Sequence, residues 1–452
     1  MKKILFFSIA MVVLITASYS QSHTYGTNPD PKNNNSVVLA NGLSQIYSAT
    51  GKYTISADGA GSLFSSYPIR VDKPNSGSTV AKAIIMGAST GFSFYSIPNG
   101  CITVNGTPVN WDFSTTSGIS SYNHYADVTS LVAGIIDPAP AGINTLTVGE
   151  CSSSNIDGTA LLVVFADPLT YEKTIVIMFG ALSTTGDNFS LTLGQPIDPN
   201  DPSSVLDMGL GISFSAYGPS SGQISIIDVN GQRLTSSANG YDDGVLGNGA
   251  LITVGGIGDL NTNPPDPYSS SSSDIRYDDE LYSLLPFIDN TTTNILISTI
   301  NPSNDDNIFL SYFQISGAAI IGEGILLTQT TVQENVGSSH TVKAHIQDNN
   351  GNPVAGKTVS FSVLSGPNSG VAGTGTTNAA GDAFFSYTGI GGPGVDEIQA
   401  CFQNSQGETQ CSNIITIEWI LGGPPVPLSD WALYVGIALM LTFVVIRFRR
   451  IF

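Results

Sequence analysis

The sequence predicts an all-β protein, and three observations lead to this prediction. Charged residues make up only 11% of the chain, whereas glycine occurs 49 times. Between residues 21 and 420, no window of twelve or more residues shows the 3.6-residue apolar period of a helix. Short β-branched runs bounded by turn residues recur instead, which is typical of β-sandwiches. These runs are Thr79–Met86, Ala160–Phe165, Thr174–Phe179, Gln223–Val229, Asn294–Ile300 and Ile308–Ile315.

The N-terminus has the layout of a secretory signal peptide. Lys2 and Lys3 precede the apolar run Ile4–Ile15, and small residues follow up to Ser20. This apolar run is too short to span a membrane, so we expect residues 1–20 to be removed on export. An uncleaved N-terminal anchor is the alternative. The polar residues 21–40 are expected to form a flexible lead-in.

Residues 41–322 carry a nearly continuous strand pattern. We predict a large jelly-roll-like β-sandwich there, either as one large domain or as two closely packed sandwiches. Polar segments at Pro196–Ser204 and Asn261–Asp274 are interpreted as surface loops, because strands resume on both sides of each. The segment Ala126–Val132 is interpreted as a strand.

Residues 325–419 form a second pattern of alternating strands. The segments 341–363 and 376–389 each contain a turn, at Gly351 and Gly381, where a hairpin needs a positive φ angle. Phe361 and Val363, like Phe385 and Tyr387, alternate as the core-facing residues of a sandwich do. This region resembles the bacterial immunoglobulin-like domains of the invasin and intimin group. The resemblance implies a rigid spacer that carries a binding domain.

The C-terminus combines a short motif, an apolar stretch and a basic end. Val426, Pro427 and Trp431 lie in the linker 420–430 or just after it, and Ala432–Ile446 is uncharged. Fifteen helical residues reach roughly 22 Å, so we expect a transmembrane helix at 431–446 near the lower limit of length. A basic cytoplasmic tail at 447–452 would contain Arg447, Arg449 and Arg450.

This C-terminal arrangement resembles the sorting signals of exosortase-type systems, the PEP-CTERM group and its IPTL-like relatives. The resemblance implies a processing enzyme as a partner. The Pro-Glu-Pro form of the motif is absent here, and a permanent single-pass anchor is the alternative reading of the same residues.

The four cysteines predict two disulfides in an oxidising compartment. Cys401 and Cys411 flank a hairpin centred on Asn404–Gly407, so we expect them to pair across two strands. Cys101 and Cys151 then pair with each other. A metal site is the alternative, but the sequence has no Cys-x-x-Cys and its histidines lie far from the cysteines.

The balance of charge argues against nucleic acid as a partner. The chain has 35 acidic and 15 basic residues and a formal net charge of −20. Such a surface repels phosphate backbones and keeps an exported protein soluble.

No arrangement of residues predicts catalysis. Gly218–Gly222 matches the Gly-x-Ser-x-Gly pattern, but the helix that a serine nucleophile needs does not follow it. The four histidines are interpreted as surface or half-buried residues; they are His23, His124, His340 and His345. For His124, beside Tyr122 and Tyr125, contact with a sugar ligand is an alternative. Two carboxylates on neighbouring strands could serve a glycosidase, for which Asp112 beside Trp111 and either Asp127 or Asp279 are the candidates.

Acidic loop clusters suggest structural calcium. Asp242, Asp243, Asp278 and Asp279 are the candidates, and Asp198, Asp201 and Asp305–Asn307 are similar in type. Calcium takes six to eight oxygen ligands from flexible loops. None of these clusters matches an Asp-x-Asp-x-Asp-Gly loop, so solvated surface carboxylates are the alternative.

These observations predict an exported bacterial cell-surface protein. We expect an adhesin or matrix-binding protein that displays residues 41–322 on the immunoglobulin-like spacer and recognises an extracellular glycan or protein. A surface carbohydrate-active enzyme and a purely structural coat or biofilm-matrix component are the alternatives.

Overall fold

The structure is a computed structural model, which groups Val37–Phe452 into one compact unit. It describes residues 38–39, 42–61, 64–183, 185–214, 225–235, 241–242, 245–246, 252–259, 263, 280–302, 304, 306–328, 331–405, 407, 409–421 and 430–449. The predicted signal peptide, 1–20, lies outside these residues. The predicted lead-in, 21–40, is described only at Val38–Leu39, where it forms a strand.

Residues 38–321 form strands β1 to β23, one short helix and a 3₁₀ turn at Leu285–Phe287. In chain order, these elements are β1 (Val38–Leu39), β2 (Gly42–Gly51), β3 (Tyr53–Ala60), β4 (Ser66–Lys73), β5 (Thr79–Ser89), β6 (Ile102–Val104), β7 (Thr107–Pro108), β8 (Phe113–Thr116), β9 (Tyr122–Asp127), α1 (Thr129–Ile136), β10 (Gly142–Glu150), β11 (Ile156–Ala166), β12 (Lys173–Ala181), β13 (Asp187–Leu193), β14 (Leu206–Ser213), β15 (Ile226–Val229), β16 (Gln232–Thr235), β17 (Tyr241–Asp242), β18 (Val245–Leu246), β19 (Ile252–Val254), β20 (Leu281–Ser283), β21 (Asn294–Ile300), β22 (Asn307–Ser316) and β23 (Ala319–Ile321).

These strands build four main sheets. The first sheet has the order β1-β8-β9-β5-β11-β3, and the second has the order β4-β10-β6-β7. The third has the order β19-β14-β22-β12-β2 with β20 beside β14, and the fourth has the order β16-β15-β21-β13-β23. Strands β17 and β18 pair only with each other among the described strands.

Three apolar cores show how the four sheets stack. One core lies between the first and second sheets and contains Ile69, Val148 and Leu161. Another lies between the third and fourth sheets and contains Met178, Leu191 and others. A third core joins the first sheet to the third. Residues 42–321 therefore form two sandwiches packed face to face, in four layers.

The third core is what makes the two sandwiches one body. It contains alternate residues of β11 and β12 together with Phe309 and Tyr312 of β22. A buried polar network lies at the same interface. Asn307 donates to Asn123 (2.7 Å) and to Ser213 (2.7 Å), and Asn123 donates to the Gly180 carbonyl (2.7 Å). Satisfied buried amides fix the register of an interface that apolar contacts alone would leave free to slide.

The strand expected at Ala126–Val132 is wrong in its second half. Strand β9 ends at Asp127, and α1 begins at Thr129. The Asp127 carboxylate accepts hydrogen bonds from the Thr129 N–H (2.9 Å) and hydroxyl (2.5 Å), which satisfies a free donor of the first turn. At the other end, the buried Lys73 ammonium donates to the Ile136, Asp137 and Ala139 carbonyls. A helix of eight residues is too short to show an apolar period.

Residues 324–420 form a third sandwich. Its strands are β24 (Gly324–Leu327), β25 (Thr331–Asn335), β26 (Ser339–Gln347), β27 (Thr358–Ser365), β28 (Ala372–Thr376), β29 (Asp382–Thr388), β30 (Gly394–Gln403), β31 (Thr409–Cys411) and β32 (Ile415–Ile420). One sheet has the order β24-β26-β29, and the other has the order β25-β32-β30-β27-β28 with β31 beside β30. Strand β25 runs parallel to β32, whereas the other ladders of these two sheets are antiparallel.

This arrangement is an immunoglobulin-like sandwich. Gly351 and Gly381 adopt φ angles of 77° and 74°, as the predicted turns require. Strands β24 and β25 follow each other along the chain but lie in opposite sheets of this sandwich. A single carboxylate in the core, that of Asp396, accepts hydrogen bonds from the Tyr387 hydroxyl (2.9 Å) and the Trp419 indole (2.6 Å).

The junction between the second and third sandwiches is short and packed. Only Gly322 and Glu323 separate β23 from β24. The Gln347 side chain donates to the Gly322 carbonyl (3.0 Å) and accepts from the Thr192 hydroxyl (2.6 Å). The Glu323 carboxylate accepts from the Ser405 N–H (2.8 Å). These hydrogen bonds connect the second sandwich to the third directly, through Thr192 and Gln347, and also hold the two linker residues against the third sandwich.

The C-terminal segment is helical, as predicted, in α2 (Asp430–Phe448). The expectation that it spans a membrane is not supported. No helix among the described residues is both long and apolar enough to cross a bilayer.

Both predicted disulfides are present. Cys101 pairs with Cys151, and Cys401 pairs with Cys411, so all four cysteines of the chain are oxidised. Cys401 and Cys411 are direct cross-strand partners on β30 and β31, as the predicted hairpin requires.

Candidate functional site

His124 is a buried structural residue. Its Nε2 accepts a hydrogen bond from the Ile97 N–H (3.0 Å), so Nδ1 carries the proton and donates to the Ser114 hydroxyl (2.6 Å). Burial lowers the pKa of His124 to about 4, which keeps the ring neutral. With its proton held at Nδ1, the ring cannot accept the Ser114 proton as a general base would. With 1% of its surface exposed, it also cannot contact a sugar as the sequence suggested.

The carboxylates suggested for glycoside hydrolysis serve the fold. Asp112 accepts a hydrogen bond from the Asp127 N–H (2.7 Å). Asp127 is the last residue of β9, just before α1, and pairs with the Lys82 ammonium at 2.6 Å. Partial burial opposes ionisation of Asp127, but its hydrogen bonds to Lys82 and Thr129 outweigh this and lower its pKa. A catalytic acid needs the opposite shift. Asp279 lies outside the described residues.

The calcium candidates cannot be placed as a site. Asp243, Asp278 and Asp279 lie outside the described residues, and Asp242 is described only as part of β17. Asp198 and Asp201 instead close local turns, accepting from the Asn200 N–H (2.9 Å) and Ser203 N–H (2.8 Å). Over the part of the chain that is described, no group of three or more His, Cys, Asp or Glu residues could hold a metal ion.

The remaining sequence candidates are resolved as follows. Gly218–Gly222 and His23 lie outside the described residues. His345 contacts Asp382 at 2.9 Å, and His340 contacts Glu334 at 3.1 Å. His340 is buried and His345 is half-buried, and both contacts lie within the immunoglobulin-like sandwich.

One end of the first sandwich holds an unusual pair of buried acids. The Asp157 carboxylate accepts hydrogen bonds from the Thr90 hydroxyl and the Phe214 N–H. The Glu150 carboxylate accepts none from any described residue, although only 6% of Glu150 is exposed. Burial, and secondly the neighbouring Asp157, raise the pKa of Glu150 to about 8, and burial raises the pKa of Asp157 to about 7. Both carboxyls therefore hold protons that exposed carboxyls lose.

The most site-like feature is a cleft of about 390 Å³ between the second and third sandwiches. We call it the junction cleft. One side is the outer edge of β2, from Gln45 to Thr50, which pairs with β12 on its inner edge. The opposite side is the segment Thr409–Ile414 with Gln399 of β30. Residues of β23 and β24 and Tyr53 complete the lining.

The junction cleft is neutral and polar. None of the described residues that line it is Asp, Glu, Lys, Arg or His, although the chain carries a net charge of −20. Its lining includes two tyrosines, three glutamines, one asparagine and four hydroxyl residues: Tyr47, Tyr53, Gln45, Gln399, Gln410, Asn413, Ser48, Thr50, Thr409 and Ser412. Burial, and secondly Tyr53, raise the pKa of Tyr47, so its hydroxyl stays protonated.

The four amides that line the cleft differ in their hydrogen bonding. Gln399 donates to the Ser412 carbonyl (2.9 Å), and Asn413 exchanges hydrogen bonds with the backbone of Leu327. In contrast, the side-chain oxygens of Gln45 and Gln410 accept no hydrogen bond from any described residue. They lie on opposite sides of the cleft. Polar atoms shielded from water normally have a partner, so these two oxygens are exceptions among the described polar groups of the cleft.

A second cavity, of about 430 Å³, offers a contrast. It lies beside β3 and β22 and is lined by Asp72, Asp207 and Gln314 among others. The side-chain oxygen of Gln314 also accepts no hydrogen bond from a described residue. This cavity carries acidic groups, whereas the described lining of the junction cleft carries none.

Sequence reasoning missed the junction cleft. Its two sides are separated by more than three hundred residues along the chain, and neither side contains a motif. Only the free edge of a strand and a hairpin brought against it create the site, and both depend on the packing of complete sandwiches.

Comparisons with known proteins do not assign the chain to a family. No protein-family model and no curated protein matches the chain. Among solved structures, it is similar to fibronectin(III)-like modules of Clostridium thermocellum CbhA, with 14% identity over 21% of this chain and 93% of that chain, at a TM-score of 0.17.

Two further solved structures cover more of the chain. A tetra-tandem repeat from the extending region of a large adhesion protein has 9% identity over 82% of this chain and 75% of that one, at a TM-score of 0.17. The S-layer protein rSbsC has 13% identity over 83% of this chain and 55% of that one, at a TM-score of 0.15. At these TM-scores the likenesses carry no argument about function.

Proposed function

We propose that this protein is an extracellular surface protein that works by binding, as an adhesin or matrix-binding protein. The stacked sandwiches of residues 41–322 would carry the binding surface, and the immunoglobulin-like sandwich at 325–419 would hold them in a fixed orientation. The observation that carries the proposal is that all four cysteines are paired in disulfides. Such pairing is stable outside the cell and rare in the reducing cytosol.

The surface charge supports the same role. With 35 acidic residues against 15 basic ones, the protein stays soluble and avoids nucleic acid. The side chains once considered for catalysis also support binding over chemistry, because Asp112 and Asp127 are occupied by hydrogen bonds that build α1 and β9.

The proposal is tested on intact cells that make the protein. We expect antibodies against the sandwiches to label the cells without permeabilisation, and a thiol reagent to find no reactive cysteine before reduction. Full-length chain would also be applied to immobilised glycans and matrix proteins, where we expect saturable binding. Protein confined to the cytosol with four reduced thiols would overturn the proposal.

A structural role in a surface coat or biofilm matrix is the second candidate. The four-layer stack and the packed junction favour this role, because packed interfaces that resist relative movement transmit mechanical force through a coat. Concentration-dependent assembly of purified full-length chain into regular arrays, without any ligand, would favour this role over adhesion.

A processing enzyme of the exosortase type is a further proposed partner. It rests on Val426, Pro427, Trp431 and the arginines Arg447, Arg449 and Arg450 in the sequence. Val426, Pro427 and Arg450 lie outside the described residues. Mass spectrometry of the mature protein would show a C-terminus upstream of Arg447 if such an enzyme acts on it.

A further inference from the structure

The junction cleft combines three properties that restrict its ligand. Its volume of about 390 Å³ lies within the range of small-molecule pockets. Its described lining carries no charged side chain. It also holds two amide oxygens that accept no hydrogen bond from described residues, those of Gln45 and Gln410. A ligand must therefore be compact, uncharged and able to donate hydrogen bonds.

The tyrosines add an apolar surface to this polar lining. Tyr47 and Tyr53 both line the cleft, and both also pack against the apolar core between the first and third sheets. The Lys82 ammonium lies 6.0 Å from the centroid of the Tyr47 ring. Sugars have the complementary chemistry, since a pyranose has an apolar face of C–H groups and a rim of hydroxyls. The hydroxyls donate to amide oxygens, and the C–H face packs on an aromatic ring.

The supporting hydrogen bonds hold the other polar groups in place. Gln399 and Asn413 are fixed by backbone partners, and the Thr50 hydroxyl contacts the Thr174 hydroxyl at 2.7 Å. Gln45 and Gln410 are the two amides of the cleft whose side-chain oxygens accept no hydrogen bond from the described residues. An extended peptide would instead need pockets for alternate side chains along the strand edge.

We propose that the junction cleft binds a short neutral oligosaccharide, with Gln45 and Gln410 accepting hydrogen bonds from its hydroxyls and Tyr47 or Tyr53 packing on a sugar face. This inference rests on the proposed binding function and places the ligand at the junction of two sandwiches. It also excludes acidic glycans, because bringing a carboxylate into a site whose described lining carries no cation is unfavourable.

The test uses full-length chain and isothermal titration calorimetry. The probes are short neutral cello-, malto- and chito-oligosaccharides, with oligogalacturonate and sialyllactose as charged comparators. We expect at least one neutral series to bind and both charged probes to fail. The double variant Gln45→Glu with Gln410→Glu keeps side-chain size but brings two charges, and we expect binding at least about ten-fold weaker.

Matched controls separate the cleft from general effects. Gln314 also has a side-chain oxygen without a described partner, but it lines the other cavity, so Gln314→Glu should bind like the wild type. Tyr53→Ala should weaken binding, whereas Tyr53→Phe should retain most of it. Tyr171, which is 78% exposed and outside the cleft, supplies the control Tyr171→Ala. Each variant is checked by thermal melting and for its two disulfides, and the single variant Gln410→Ala replaces any double variant that fails to fold.

Three results would overturn the inference. The first is oligosaccharide binding that the Gln45 and Gln410 variants leave unchanged. The second is binding of the charged probes as well as the neutral ones. The third is no oligosaccharide binding, with an extended peptide of β-branched residues bound in a manner that the cleft variants abolish. In each case surface labelling and matrix binding still test the proposed function independently.

Discussion

The two parts of this protein bury their strands differently. Strand β11, at the centre of the four-layer stack, is buried at every position from Ile156 to Phe165, and β12 is buried from Thr174 to Ala181. Strand β30 of the immunoglobulin-like sandwich instead alternates between buried and solvent-facing residues, as Asp396 and Glu397 show. A strand covered on both faces is mostly apolar, although β11 also buries Asp157 and Thr159, whereas a strand covered on one face alternates. The spacing of apolar residues along a strand thus indicates whether one or both faces of its sheet are covered.

The two parts also differ in what holds them together. The stack relies on three apolar cores, and the immunoglobulin-like sandwich has one apolar core with a buried carboxylate at its centre. The largest expected effect therefore concerns that carboxylate. Asp396→Ala leaves the Tyr387 hydroxyl, the Trp419 indole and Asn368 without their acceptor. We expect a loss of about 4 kcal/mol in the free energy of unfolding, measured by urea denaturation and circular dichroism.

The matched variant in the stack is Asn307→Ala, which removes the amide that joins its two sandwiches. We expect about 2 kcal/mol there, because the apolar contacts around it remain. Equal losses at both sites would contradict the view that the two parts are stabilised differently.

The disulfides supply the next comparison. Cys101 and Cys151 are 50 residues apart, whereas Cys401 and Cys411 are 10 apart. In the chain-entropy model, the longer loop stabilises by about 4 kcal/mol and the shorter by about 3 kcal/mol. Replacing each pair by serines should lower the melting temperature more for the first pair. A larger drop from Cys401→Ser with Cys411→Ser would show that the entropy of the unfolded chain does not set the order.

Leucine truncations test the two-faced burial directly. Leu161 faces the core of the first sandwich, and Leu162 faces the third sheet. Both Leu161→Ala and Leu162→Ala should lower the free energy of unfolding, each by about 3 kcal/mol. In β30, Ile398→Ala should be similarly destabilising. Val395 of the same strand is 49% exposed, so Val395→Ala should change the free energy of unfolding little. A silent Leu162→Ala would mean that the two sandwiches do not pack as described.

The smallest effect is a pH dependence confined to the first sandwich. The pKa values of Asp157 and Glu150 are raised to about 7 and about 8, so the folded carboxyls bind protons that unfolded ones have already lost. Because the folded state binds more protons, stability falls as the pH rises from 6.5 to 8. We expect the melting temperature to fall over this window, and Glu150→Gln to remove most of that fall. His124 does not contribute there, because its lowered pKa affects stability only below about 6.5, and in the opposite direction.

Local patterns predicted most strands well. Asn294–Ile300 was predicted with its observed bounds, and Thr79–Met86 falls within β5, since β-branched runs between turn residues leave few alternatives. Gly351 and Gly381 have the expected positive φ angles. The errors came where local pattern is silent. Helix α1 is only eight residues long, and its ends depend on Asp127 and on Lys73, which is distant in sequence.

The candidate site could not be predicted for a related reason. Gln45 and Gln410 line the same cleft only because β2 lies at a sheet edge and β31 folds back beside β30. Nothing in either segment marks it, since glutamine is ordinary on an exposed strand. In contrast, Cys401 and Cys411 were predicted to pair because a single hairpin joins them.

The two-residue connection between β23 and β24 has a consequence for recognition. A flexible connection would let the two sides of the cleft move relative to each other. A ligand would then have to order them when it binds. Here the hydrogen bonds of Gln347 and Glu323 hold the connection in place in the folded protein. Ligand binding therefore does not carry the entropic cost of ordering it. Lengthening the connection with glycines would therefore weaken ligand binding, mainly by raising the dissociation rate, although no residue that contacts the ligand has changed.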